Sequence, residues 1–187
     1  MKQQTQAVTA QPMKKIFVEK VTLNIGAGKD TQLLNKGVKL LEELTGIPPV
    51  KTVTNKRIPA WGLRPGLPIG CKITLRGKQA EEMIPRLLVA KSNKLAQRNY
   101  DNSGNISFGI SECIDIEGSK CNPEIGIIGL QACITLKRPG YRVKSRRIRP
   151  GRVAQHHIIT KDEAVQFMNE RFNIQLGEEG LRVVKLF

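Results

Sequence analysis

The side chains of this sequence that could do chemistry are mostly cationic, and they are grouped. From Leu44 to Ala80 there is no acidic residue, while Lys51, Lys56, Arg57, Arg64, Lys72, Arg76 and Lys78 carry seven positive charges. From Lys137 to Arg152 acids are again absent, and Lys137, Arg138, Arg142, Lys144, Arg146, Arg147, Arg149 and Arg152 carry eight. Together these stretches account for the whole net charge of +15, so the rest of the chain balances sixteen bases against sixteen acids. A solvated surface mixes the signs, whereas acid-free stretches behave as contact surfaces for a polyanion. The second stretch is rich in Arg, whose planar guanidinium pairs bidentately with phosphate and stacks on bases, which points to RNA. Pro139-Gly140 and Pro150-Gly151 read as turns at its two ends, with Tyr141 between them. In the first stretch Trp61 lies between Arg57 and Arg64, placed to stack on a base or to anchor a loop.

Other chemistry is poorly supported. Gly26-x-Gly28 follows a strand pattern and precedes a helix pattern, but Thr31 stands where a dinucleotide fingerprint needs its third glycine. Gly66 to Lys72 has the composition of a phosphate loop with the wrong spacing, and a strand follows where a helix is required. Cys71, Cys113, Cys121 and Cys133 contain no C-x-x-C pair, and with His156 and His157 they fit no common zinc spacing. The thiols read as reduced cysteines of a cytosolic protein, and no metal or cofactor is expected. Cys113 has two histidines far downstream but no legible base, and the paired carboxylates fall on solvated helix faces or the tail. Catalysis is therefore not expected. Met1 to Met13 lacks the apolar core of a signal peptide, and no run approaches the roughly 20 apolar residues of a membrane helix.

These charges need a scaffold, and its pattern is legible. Hydrophobic residues make up 40% of the 187 and aromatics only 4%, so the core must rest on Ile, Leu, Val and Ala. Phe17 to Ile25 alternates as a strand, and Asp30 or Thr31 caps a helix carrying Leu33, Leu34, Val38, Leu41 and Leu44, which Gly46 stops. A second strand runs from Pro48-Pro49 through Val53. A third, Ile69 to Leu75, puts Ile69, Cys71, Ile73 and Leu75 on one face and Lys72, Thr74 and Arg76 on the other. Between them lies a long loop, Asn55 to Pro68, of a length that usually has a function. After Gly77 a helix carries Met83, Ile84, Leu87 and Leu88, with Pro85 predicting a late start or a kink. Ile106 to Ile110 and Leu130 to Leu136 are further strands. Thr160 to Glu163 forms a capping box for a last helix with Val165, Phe167, Met168 and Phe172. The interspersed order predicts an α+β fold, an antiparallel sheet with helices packed on one face and an open RNA-binding face. Residues 14–173 read as one domain between a flexible tail over 1–13 and a C-terminal tail over 174–187.

Four segments carry a resemblance. They are Val21-Thr22-Leu23-Asn24-Ile25-Gly26-Ala27-Gly28, Leu44 to Val50, Arg64 to Gly77, and Asn105-Ile106-Ser107-Phe108-Gly109-Ile110. In order and spacing they resemble the universal ribosomal protein five of the large subunit, over about residues 14 to 173. The extended Lys137–Arg152 segment looks like the archaeal and eukaryotic branch of that family. The resemblance implies a ribosomal protein five-like fold and a structural role in the central protuberance of the large subunit. It also implies binding to 5S rRNA beside large-subunit rRNA, contact with P-site tRNA, and an intersubunit bridge to small-subunit ribosomal protein thirteen. Neighbouring large-subunit proteins are implied partners, on cytoplasmic ribosomes. Its RNA-facing sheet positions map onto Asn24, Thr74, Arg76 and Glu112; Lys51 and Lys72 join them from the acid-free stretch. Its tRNA-facing loop maps onto Asn55 to Gly66, with Asn55, Lys56, Arg57, Trp61 and Arg64 as contacts. The second basic stretch, through Arg138, Arg142, Lys144, Arg146, Arg147, Arg149 and Arg152, is expected to form a separate RNA contact. The chain departs from the bacterial pattern at Ile47, where a Gln is usual, and at Pro85. Two alternatives are a polycationic module on an anionic membrane, disfavoured because neither stretch has an apolar helical face, and an RNA-processing enzyme, which needs a catalytic site.

Overall fold

A computed structural model describes residues 12–118 and 126–177. The ends beyond them, which include most of both expected tails, lie outside the described residues, as does Cys121. Five strands form the main sheet in the order β2-β3-β1-β6-β5: β1 (Phe17–Gly26), β2 (Val50–Val53), β3 (Pro68–Leu75), β5 (Asn105–Ile110) and β6 (Leu130–Lys137). Every neighbouring pair in it is antiparallel. The alternation read from the sequence sets which side each residue takes. Val21, Leu23, Ile25, Cys71, Ile73, Leu75, Ile106, Phe108, Ile110, Leu130, Ala132, Ile134 and Leu136 are all buried on one face. The alternation falters at the start of β1 because a bulge between Val18 and Lys20 shifts the register, so that both Val18 and Val21 face the core.

Helix α1 (Thr31–Thr45) packs over β3, and α2 (Lys78–Val89) over β1. Asp30 caps α1 by accepting the N–H groups of Gln32 and Leu33, and Gly46 ends it at φ 69°, a left-handed turn that glycine adopts without steric cost. The buried stripe of α1 is Leu34, Gly37, Leu40, Leu41 and Leu44, with Leu33 and Val38 at its margins. Each such fully buried Leu contributes about 1.5–3 kcal/mol. Helix α2 begins at Lys78, directly after Gly77, so Pro85 does not delay its start. The proline lies well inside the helix, where its missing N–H leaves the Glu81 carbonyl without an intrahelical donor. Arg86 ties this layer together, donating from Nε to the Glu117 carbonyl at 2.7 Å and from Nη1 to that of Leu44 at 3.4 Å.

Helix α4 (Lys161–Phe172) has the full capping box of Thr160 and Glu163. It buries Ala164 and Met168 and keeps Val165, Phe167 and Phe172 half-buried. The chain does not leave the domain at residue 174. Ile174 is buried, and β7 (Gln175–Gly177) pairs in parallel with β4 (Lys94–Ala96). Three-residue strands have too few positions to show alternation, which is why this small sheet is not readable from sequence.

Candidate nucleic-acid interface

Among the described residues α1 and α2 pack on one face of the main sheet and leave the second face open, and strand register places its residues in rows. Antiparallel partners point to the same side. One row is Val50, Lys72, Asn24, Gln131 and Gly109. The next is Thr74, Thr22, Cys133 and Ser107, and the third is Lys20, Thr135 and Asn105. Lys72 and Arg76 are exposed, while Asn24, Thr22, Thr74 and Cys133 are half-exposed. Short hydroxyl and amide side chains in register, with lysines and an arginine at one side, give a shallow surface of donors and acceptors. Asn24 is oriented within it, its Nδ2 donating to Gln131 Oε1 at 3.3 Å. Gly70 belongs to the same sheet because only a residue without Cβ fits there: a Cβ would lie 2.6 Å from the Ile25 carbonyl oxygen.

The face therefore gathers Asn24, Lys72 and Thr74, with Arg76 exposed immediately after β3, but not Lys51 or Glu112. Lys51 is opposite Cys71 in the β2–β3 register, which turns it to the helix side at the sheet edge. Burial pushes the Cys71 thiol up, and the nearby Lys51 ammonium partly offsets this, consistent with that side. Two prolines preceding β2 obscured its phase in the sequence. Glu112 is exposed two residues past the end of β5, in the adjoining loop rather than on the sheet. Sequence reasoning missed Lys20, Thr22, Asn105, Ser107, Gln131, Cys133 and Thr135. The signal was present: the polar residues between the buried ones of β1, β5 and β6 are the counterparts of Lys72 and Thr74.

The Asn55–Pro68 loop is closed by its own backbone bonds. Thr54 and Leu67 are joined at 2.9 Å, and Ile58 and Leu63 exchange two bonds of 3.1 Å around the turn at Pro59–Trp61. Leu63 is buried and anchors the loop. Asn55, Lys56, Arg57 and Arg64 are exposed, and Trp61, 68% exposed, sits at the turn rather than in the core.

The Lys137–Arg152 segment is folded against the domain. Arg138 is buried at 4% exposure, and its Nη2 donates to Glu163 Oε1 at 2.7 Å, so unlike the other cations of the segment it is turned inward and committed to anchoring it. Burial works to raise the Glu163 carboxyl, but Thr160 and Arg138 together outweigh it and hold that carboxyl below its ordinary range. Tyr141 donates its hydroxyl to the His157 carbonyl at 3.2 Å and accepts the Ile159 N–H at 3.1 Å. His157 Nε2 meets the Pro139 carbonyl at 2.8 Å. Above these anchors, α3 (Arg142–Ser145) and the following loop close through the Gly151 N–H and Val143 carbonyl at 3.0 Å. Arg149 is held at φ 47°, with its carbonyl accepting from Arg146 Nε at 2.7 Å. Arg142, Lys144, Arg146, Arg147, Arg149 and Arg152 are all exposed. The segment borders the open face rather than standing apart from it: Lys144 and Arg152 share a cavity with Lys20, Asn105 and Thr135.

Among the described residues no three His, Cys, Asp or Glu side chains gather as metal ligands, and no helix is long and apolar enough to cross a membrane. Cys113 is buried, with Sγ 3.8 Å from the Gly126 carbonyl.

Residues 11–64 match the family model for ribosomal protein L5, and residues 68–167 match the model for the C-terminus of the same ribosomal family. The chain is 44% identical over 171 residues to the large ribosomal subunit protein uL5 of Sulfurisphaera tokodaii, spanning 91% of this chain and 97% of that one. It is 42% identical over 172 residues to uL5 of Methanococcus maripaludis strain C6, covering 90% and 95%. With uL5 of Sulfolobus acidocaldarius it shares 44% over 166 residues, covering 89% and 93%. The family is structural and non-enzymatic. On its fold, its two matched regions and its archaeal-type relatives, the chain belongs to the ribosomal protein L5 family.

Proposed function

We propose that this protein is a structural component of the large ribosomal subunit that binds 5S rRNA on the open face of its sheet and helps anchor it, with large-subunit rRNA, in the central protuberance. The observation that carries the reading is the register of that face, which sets Asn24, Lys72, Thr74, Thr22 and Gln131 side by side beneath no helix. Relatives at 41–44% identity named as large-subunit proteins support it. Lys72 and Arg76 neutralise phosphates and release counterions, while amides and hydroxyls read the shape of one RNA element. The Asn55–Gly66 loop, exposed and separately closed, suits contact with P-site tRNA and with small-subunit ribosomal protein thirteen across a bridge. On this reading the protein works on cytoplasmic ribosomes beside the other proteins of the central protuberance. A gel shift with 5S rRNA against a control RNA of equal length tests the reading. A tight, salt-dependent complex with 5S rRNA alone is expected; equal affinity for both RNAs contradicts it.

A further inference from the structure

Between the open face and the basic segment lies a cavity of about 730 Å³. Its floor is the third row of the sheet, Lys20, Thr135 and Asn105, and its far wall is Lys144, Arg152 and Gln155. Its volume lies within the roughly 300–1,000 Å³ of sites that enclose a small molecule. The wall is pre-formed, because Tyr141, which also lines the cavity, is fixed at its hydroxyl by two backbone partners, and Gly151 closes the loop onto Val143. A Cβ on Gly151 would sit 3.1 Å from Val143 Cγ1, so the loop packs tightly onto Val143 there.

The charge of the cavity is unbalanced. Lys137 is paired with Glu19 at 3.0 Å, which cancels the one acid in the lining. Lys20, Lys144 and Arg152 make no ion pair among the described residues. Three cations therefore surround a recess furnished with amides and hydroxyls. Asn105 already donates to Asp101 Oδ2 at 3.2 Å, leaving its carbonyl oxygen free to accept, and Gln155 and Thr135 offer both donors and acceptors. Three unpaired cations and two amides lining one recess match a phosphate joined to a heterocyclic base, that is, one nucleotide.

We propose that this cavity takes a single unstacked nucleotide of the RNA lying on the open face, with its base inside and its phosphate held by Lys20, Lys144 and Arg152. The inference rests on the RNA-binding reading above and adds a site to it. Continuity favours RNA over a free nucleotide: the floor is the next row of the same face, so a strand on that face reaches the mouth without crossing another element. Splayed bases are the usual targets of sequence-specific RNA recognition.

The test fills the cavity without altering its charge. Ser103→Trp and Ser145→Trp each place a bulky side chain in the lining, and circular dichroism melts establish which variant folds. With full-length protein and 5S rRNA, a folded plug variant should bind about tenfold more weakly, the size expected for losing one well-held base, at an unchanged salt slope. Chemical probing should show one nucleotide whose reactivity changes with wild-type protein and not with the variant. Two folded plugs, or the one that folds, binding as wild type with an identical footprint overturns the proposal. Adenosine and guanosine monophosphates form the second arm. Binding of either to wild type but not to the plug, with the RNA footprint unaffected, assigns the cavity to free nucleotides and overturns the RNA assignment. A wild-type protein that fails to select 5S rRNA refutes the underlying reading instead, and the inference falls with it.

Discussion

The two acid-free stretches carry seven and eight positive charges, yet the molecule holds them in opposite ways. In the first, Lys72 owes its position to a regular sheet: alternation and register decide which side its side chain takes, and Arg76 follows directly after the same strand. In the second, no regular element longer than four residues is available. Arg138, Tyr141 and His157 are buried or half-buried and bonded to Glu163 and to backbone, and the exposed arginines stand on that support. A cation on a sheet is free for a ligand, whereas one member of a folded loop must be committed to holding the others. Arginine is suited to both tasks, so its presence alone does not tell contact from anchor.

That contrast breaks most visibly at Arg138. Arg138→Ala removes a buried, charge-assisted bond and should cost about 2–3 kcal/mol, read as a lower urea midpoint at unchanged m-value. Arg142→Ala and Arg147→Ala, exposed in the same stretch, should stay within about 0.5 kcal/mol of wild type. Equal effects at all three positions would erase the distinction. The pair also has a pH signature. Glu163 is depressed in the folded protein, so its contribution to stability is present above the ordinary carboxylate pKa of about 4.3 and is lost as pH falls through the lower, folded value. Glu163→Gln should flatten that part of the acid limb of a pH–stability curve; an unchanged acid limb would deny the pair this role.

On the sheet, Arg76→Ala should weaken 5S rRNA binding by about 1–3 kcal/mol without altering stability, as an isotherm and a thermal melt would report. A folded variant with unchanged affinity removes Arg76 from the surface. Replacing Arg142, Arg147 and Arg149 together with Ser should lower the salt slope of RNA binding by about two to three phosphate contacts. A constant slope with both 5S rRNA and large-subunit rRNA would make those side chains solvated and not contacting. Smallest of all, Ser at Lys56, Arg57 and Arg64 should move 5S rRNA affinity by no more than about 0.5 kcal/mol while impairing tRNA retention on the ribosome. Loss of 5S rRNA binding would merge the loop with the sheet surface.

How much of this was legible follows from the same contrast. Ile69 to Leu75 announced its two faces because an eight-residue strand repeats a period-two pattern enough times to be read. The α1 and α4 caps were legible because Asp30 and Thr160 act on backbone within three residues. The side that Lys51 takes was not legible because a four-residue edge strand after two prolines has no phase until its pairing with Cys71 is known. The burial of Arg138 was not legible because its partner, Glu163, is 25 residues away and belongs to another element. The β4–β7 pair joins residues about eighty apart and is equally invisible to local pattern. Local periodicity encodes faces; long-range pairing decides which charge turns inward.

The central claim is that RNA lies on the open face of the sheet, and Cys133 reports on it directly. This cysteine sits in the second row between Thr22 and Ser107 and is partly exposed, whereas Cys71 and Cys113 are buried. In a Cys121→Ser background, the rate of Cys133 alkylation is measured with and without saturating 5S rRNA, beside the control RNA. Protection of Cys133 in proportion to the fraction of protein bound to 5S rRNA is the predicted result. An alkylation rate unchanged when every molecule carries 5S rRNA would place the RNA elsewhere and contradict the account.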